Sequence, residues 1–197
     1  MSIQRTAKSA NNATAVVHGG NTMTETKLHL GCGKDIKDGW INVDQLDGPG
    51  VDRVLDLEHT PWPWAEGSVD RIQANHVFEH IEDIENVLRE CERVLTPRGI
   101  LTVRVPVGLD SWADPDHEHQ WEWRTPTFYC GARPWDVDVG LQVIDRNVEL
   151  WPAGQTNLLA AIDKLTWKFR EFRDGQGPWM FNQPGSCGEF TVRFQKP

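Results

Sequence analysis

The stretch that most constrains this chain is Lys27-Leu28-His29-Leu30-Gly31-Cys32-Gly33-Lys34. A short apolar strand runs straight into a glycine pair, and the next apolar run, Trp40-Ile41-Asn42-Val43, ends in an acid, Asp44. Glycines at the end of a strand permit a tight turn and a close approach to bare backbone. In an open parallel sheet, ligands sit outside the carboxyl ends of the strands, where a carboxylate can also bind a ribose. Gly31-Cys32-Gly33 with Asp44 therefore predicts half of a nucleotide-sized pocket. An ordinary turn uses the same glycines, so the residues downstream of Asp44 have to decide between the two.

Arg53-Val54-Leu55-Asp56-Leu57 is expected as a third strand, again running into an acid. Pro61-Trp62-Pro63-Trp64 makes a stiff corner, because each proline fixes its own φ and pushes the preceding residue out of the helical region. It either walls a purine or packs on the sheet edge. Val69 to Ala74 is expected as a fourth strand leading into Asn75-His76-Val77-Phe78-Glu79-His80. Ile81, Ile84, Val87, Leu88, Cys91, Val94 and Leu95 then recur at spacings of three and four, which predicts an amphipathic helix. Thr96-Pro97-Arg98-Gly99 ends it, and Ile100 to Pro106 comes next as a fifth strand parallel to the fourth.

From Val107 to Pro126 the pattern lapses into a long loop carrying Trp112, Asp114, Asp116, His117, His119, Trp121 and Trp123. Long irregular loops in compact domains are commonly functional, and the aromatic content argues for order. We read it as a lid over the substrate side, with a short helix added between Thr125 and Gly131. Leu141 to Leu150 is expected as a sixth strand. Leu158, Ile162, Leu165, Phe169 and Phe172 predict a second amphipathic helix, and Glu189 to Phe194 alternates as a last strand, expected at a sheet edge.

A chain of 197 residues with 39% hydrophobic and 25% charged residues suits one α/β domain. Residues 1–25 bury too little to offset their ordering entropy and are expected to form a flexible tail, leaving 26–197 as the domain. No apolar run reaches the roughly 18 residues that span a bilayer, and Met1 to Gly20 lacks the apolar core of a secretion signal. No membrane partner is expected, and the expected compartment is the cytoplasm. The four cysteines form no C-x-x-C pair, so they give no support to a zinc knuckle or a dithiol site. A net charge of -9 repels phosphate backbones and disfavours nucleic acid as a partner.

Taken together, Leu28-His29-Leu30-Gly31-Cys32-Gly33, Gly39 to Asp44, Asp52 to Leu57, Ser68 to Ile72, His76-Val77-Phe78-Glu79-His80 and Arg93 to Gly99 resemble the class I S-adenosylmethionine-dependent methyltransferases, and within them the small-molecule type. The resemblance covers about Lys27 to Val107. It implies a three-layer, doubly wound, Rossmann-like α/β fold with a seven-stranded, mostly parallel sheet and an antiparallel last strand. It also implies S-adenosyl-L-methionine as cofactor. Gly31, Cys32 and Gly33 would form the loop that lets backbone approach the methionine part and the ribose. Asp44 would accept from the ribose hydroxyls, Asp56 and Leu57 would border the adenine, and Asn75 and His76 would lie beneath the sulfonium facing the acceptor. The chain departs from the family at Pro97-Arg98-Gly99, where Pro-Gly-Gly is usual.

Methyl transfer from a sulfonium is an in-line displacement that needs alignment and exclusion of water rather than a covalent nucleophile. A hydroxyl acceptor benefits from a general base, for which imidazole is suited. The candidates are His117 and His119 in the lid, with His76 near the fourth strand and His80 just beyond it. Asp114, Asp116, His117 and His119 also have the residue types of a divalent metal site. Acids and histidines on a polar loop are more often simply solvated, and no metal is expected. The expected reaction is methyl transfer to a small-molecule acceptor, an oxygen of a sugar or metabolite. The rivals are a nicotinamide-dependent oxidoreductase, which would need the missing third glycine of G-x-G-x-x-G, and a non-catalytic S-adenosylmethionine-binding module. A DNA amino-methyltransferase would carry Asn/Asp-Pro-Pro-aromatic where this chain has Asn75-His76-Val77-Phe78, and no P-loop is present.

Overall fold

A computed structural model of the protein describes residues 15–18, 21–152 and 186–197. Within the segment expected to be a tail, β1 (Ala15–His18) and β2 (Asn21–Thr24) pair as an antiparallel hairpin. Residues 1–14 lie outside the described residues, as does the helix expected around Leu158 to Phe172.

The main sheet starts from β3 (Lys27–Leu30), β4 (Ile41–Asp44), β5 (Arg53–Val54), β6 (Val69–Asn75) and β7 (Leu95–Gly108), all mutually parallel. It is completed by β8 (Gln142–Pro152) and β9 (Ser186–Gln195), giving seven strands in the order β5-β4-β3-β6-β7-β9-β8. The last strand is antiparallel, as the resemblance implied. Its expected edge position is wrong, because β9 inserts between β7 and β8 and pairs with both, leaving the edge to β8. The core lies along the central strands, where Leu28, Leu30, Ile72, Leu101, Val103 and Val105 are buried, as strands covered on both faces require.

The helix after β6 begins later than its periodicity suggests. Phe78–His80 forms a single 3-10 turn, and α1 (Ile84–Val94) starts behind Asp83, whose carboxylate accepts from the Asn86 N–H at 3.0 Å. Between them, Glu58 Oε1 accepts from the N–H groups of Glu82 at 2.6 Å and Asp83 at 3.1 Å, which ties this connection to the loop after β5. Ile84, Val87, Leu88, Cys91 and Val94 form the buried stripe of α1.

Glu90 of α1 is buried too. Its Oε1 accepts from the Trp62 N–H at 2.5 Å and from Arg93 Nη2 at 2.6 Å, while Arg93 also donates to the Trp64 carbonyl at 2.9 Å. Trp62 is 3% exposed and its indole N–H donates to the Leu57 carbonyl. The Pro61 to Trp64 corner is therefore packing against α1.

The lid region is more regular than expected. β7 runs on to Gly108, α2 (Leu109–Ala113) comes next, and an irregular stretch leads to α3 (Thr125–Phe128). The Glu118 and His119 N–H groups both donate to the Glu79 carbonyl, at 2.8 and 3.1 Å. Trp121, 2% exposed, packs edge-on to Phe78 with ring centroids 6.0 Å apart. These contacts dock the loop onto the β6–α1 connection.

Candidate active site

The loop after β3 is shaped by two glycines in the left-handed region, Gly31 at φ 59° and Gly33 at φ 49°. A Cβ on Gly31 would stand 2.3 Å from Val77 Cγ2, so no larger residue fits between β3 and the start of the β6–α1 connection. Nothing lies within 4 Å of a Cβ on Gly33, whose requirement is the backbone angle. Asp44 closes the loop from β4. Its Oδ2 accepts from the Gly33 N–H at 2.7 Å and its Oδ1 from the Leu46 N–H at 3.0 Å. The carboxylate is fixed, yet each oxygen keeps lone-pair capacity for a ligand.

A cavity of about 480 Å³ opens at the carboxyl ends of these strands, within the range of small-molecule sites. Gly31, Asp44, Asp56, Leu57, His76 and His80 are on its wall, with Asp116 reaching in from the lid loop. Cys32 is not on that wall. Its thiol is buried, and burial with the nearby Asp44 charge pushes its pKa up, so it contributes the turn through its backbone. Asp56 accepts from the Glu58 N–H at 3.0 Å and pairs with His59 Nδ1 at 2.8 Å, and these bonds hold its carboxyl below the usual range. Asn75 is off the wall as well, its side-chain oxygen accepting from Gln73. The chemistry of this wall fits a nucleoside: bare backbone at Gly31, the carboxylates of Asp44 and Asp56, and the apolar Leu57.

A second cavity, of about 320 Å³, adjoins the first and is lined by His76, Glu79, His80, Asp114, His117 and Glu189 among others. His76 and His80 border both spaces. His76 holds a left-handed backbone at φ 52°, uncommon for residues other than glycine and a feature that clusters at functional sites. Its N–H donates to the Arg104 carbonyl at 2.7 Å, its Nε2 is 3.0 Å from Glu189 Oε1, and its Nδ1 is 3.4 Å from Glu79 Oε1. Glu189 is in turn ion-paired with Arg104.

The four histidines singled out in the sequence therefore separate, with His80 on the walls of both cavities. His76 and His117 reach the second cavity, whereas the His119 ring bonds the Glu82 carbonyl at 3.1 Å and lies on neither wall. Sequence reasoning passed over Glu79, Glu189 and Arg104. Glu79 stands between Phe78 and His80 in a segment whose pattern assigns it no role, Arg104 is set beside His76 by the pairing of β6 with β7, and Glu189 arrives only through the pairing of β7 with β9.

Residues 22–103 match the family described as a methyltransferase domain. Malonyl-[acyl-carrier protein] O-methyltransferase 1 of Coxiella burnetii (strain RSA 493 / Nine Mile phase I) is 46% identical over 44 residues, which is 22% of this chain and only 16% of that protein. Among solved structures, a protein of Bacillus halodurans C-125 provisionally assigned as a methyltransferase superposes with a TM-score of 0.58, at 13% identity over 88% of this chain and 93% of that one. A SAM-dependent methyltransferase from Archaeoglobus fulgidus gives 0.56, at 14% identity over 87% and 86%. At these identities the structural likenesses speak for the fold.

Proposed function

We propose that this chain, which belongs to the class I S-adenosylmethionine-dependent methyltransferases, transfers its methyl group to an oxygen of a small-molecule acceptor, a sugar or other metabolite. The observation that carries this reading is the meeting of two cavities at His76, one of cofactor size at the carboxyl ends of the strands and one smaller and polar.

The cofactor supplies an electrophilic methyl group on a sulfonium. The protein's tasks are to bind, align and exclude water. Gly31 and Gly33 let backbone approach the methionine and ribose parts. Asp44, already held by two N–H donors, offers its remaining lone pairs to the ribose hydroxyls, and Asp56 and Leu57 border the adenine. His76 stands where the reacting ends of the two ligands meet and takes the proton that an acceptor hydroxyl gives up. Glu189 fixes the orientation of its ring through Nε2. His117 faces the acceptor space, and His119 acts on structure through Glu82.

An oxygen acceptor is supported by the imidazole beside the second cavity and by the Coxiella relative, which is named an O-methyltransferase. The nicotinamide reading gives way to the family membership. A binding module without turnover would have no use for a second polar cavity opening at His76.

The test is a transfer assay with methyl-labelled S-adenosylmethionine against a panel of sugars, hydroxy acids, carboxylic acids and amines, read by mass spectrometry. Label in an ether or ester product is expected. Label only in an amine or carbon product would overturn the acceptor assignment.

A further inference from the structure

We infer that Glu79, His80 and His117 form a site for one divalent transition metal, zinc being the first candidate, at the acceptor cavity. Glu79 is 1% exposed, and neither of its carboxylate oxygens has a hydrogen-bond partner. His76 Nδ1 stands 3.4 Å away without hydrogen-bond geometry. A buried carboxylate left in this way is strongly unfavourable unless it is paired or binds a metal.

The donor atoms are already gathered. An oxygen of Glu79 and a ring nitrogen each from His80 and His117 lie within 4.8 Å of one another. Donors at about 2.1 Å from a tetrahedral zinc ion stand about 3.4 Å apart, so side-chain shifts of about 1 Å close the set around an ion.

The tautomers are also prepared. His80 Nδ1 is 2.9 Å from the Asp116 carbonyl and His117 Nδ1 is 3.0 Å from the Ser111 carbonyl. A carbonyl only accepts, so each Nδ1 carries the hydrogen and each Nε2 keeps its lone pair. A histidine that ligates a metal through one nitrogen typically donates from the other to a carbonyl or carboxylate in this manner. His117 Nε2 has Asp114 Oδ2 at 3.7 Å, a further oxygen beside the same position.

Two imidazoles and one carboxylate with open positions are the donor set of catalytic zinc sites and of related iron(II) sites. The open positions would face the 320 Å³ cavity, where the metal would orient an acceptor through an oxygen donor. That last role rests on the reading of the cavity as the acceptor site, but metal binding itself does not. The set also differs from a site built on the lid loop alone, since two ligands come from the 3-10 turn after β6 and His119 is engaged elsewhere.

The experiment uses the full chain without an affinity tag, stripped with a chelator and titrated with Zn²⁺ and, for its visible spectrum, Co²⁺. One equivalent of each is expected to bind, with a d–d spectrum typical of a low-coordinate nitrogen and oxygen site. Glu79→Gln and His117→Ala should weaken binding by at least about 100-fold, beyond what losing an outer partner does, while His119→Ala should bind as wild type. Because Glu79→Gln removes the buried charge, its metal-free form should melt no lower than metal-free wild type, and Zn²⁺ should raise the melting temperature of wild type but not of Glu79→Gln. Absence of stoichiometric binding, or equal affinity in Glu79→Gln and wild type, would overturn the inference. S-adenosylhomocysteine titrated into the same stripped protein reads the cofactor site separately, so failure of one reading is distinguishable from failure of the other.

Discussion

His76 Nε2 lies 3.0 Å from Glu189 Oε1, joining the carboxyl end of β6 to β9 across the intervening β7. The sheet order thus brings a residue from the C-terminal antiparallel strand into the site built by the N-terminal half. If His76 is the base, His76→Ala should lower kcat by about 100-fold or more, the usual weight of a general base, with S-adenosylhomocysteine affinity little changed. Glu189→Gln, which loosens the ring's orientation and the Arg104 ion pair but keeps the imidazole, should lower kcat less. Turnover at the wild-type rate in His76→Ala would remove that residue from the chemistry.

The lid loop is anchored by Trp121, not by its other tryptophans alike. Trp121→Ala should cost about 3–5 kcal/mol in denaturant unfolding, the range for truncating a buried large aromatic. Trp112, 72% exposed on α2, should cost less than about 0.5 kcal/mol when replaced by alanine. Equal losses would mean that the loop is not held in this way.

Glu90 gives a pH signature. Its carboxyl is held below the usual range first by the Arg93 guanidinium and then by the Trp62 N–H. A folded pKa depressed below the unfolded one contributes stability that is present above about pH 4.3 and lost as pH falls through the folded value. Glu90→Gln should therefore be less stable than wild type at pH 7, by about 2–4 kcal/mol, with the gap narrowing below about pH 4.3. Melting temperatures across pH 3 to 7 check both the offset and its disappearance.

Arg98 sits at φ 66° in the turn where the family usually has glycine, with its N–H donating to the Lys196 carbonyl. A left-handed non-glycine residue costs about 1–2 kcal/mol, part of which glycine returns as backbone entropy. Arg98→Gly should stabilise by about 0.5–1 kcal/mol. A lower melting temperature would show that the arginine side chain compensates for its backbone.

Much of this fold is written in local pattern. The strand running into Gly31, the acid ending β4 and the stripe of α1 are each set by residues close in sequence, so each is readable there. The place of β9 is not. Phe190, Val192 and Phe194 are buried on one phase while Arg193 is exposed, and that alternation reports the two faces of a strand, never which neighbours it pairs with. The site divides in the same way. Asp44 follows from its position at a strand end, but the Glu79 cluster depends on a 3-10 turn where helical periodicity predicted nothing special, and on a loop folding back from a distance. His117 and His119 look alike in sequence, and only the turn between them decides that one faces the cavity and the other Glu82.

Every role assigned in cofactor binding and methyl transfer depends on the cavity at Gly31 and Asp44 taking S-adenosylmethionine. Titration calorimetry with S-adenosylhomocysteine, with NAD⁺ as the control ligand and Asp44→Ala alongside, reads that binding without needing the acceptor. Micromolar binding of S-adenosylhomocysteine is expected, with none of NAD⁺, and a loss of about 1–3 kcal/mol in Asp44→Ala from the missing charge-assisted acceptor. Binding of NAD⁺ in its place, or S-adenosylhomocysteine affinity that Asp44→Ala leaves unchanged, would contradict the assignment.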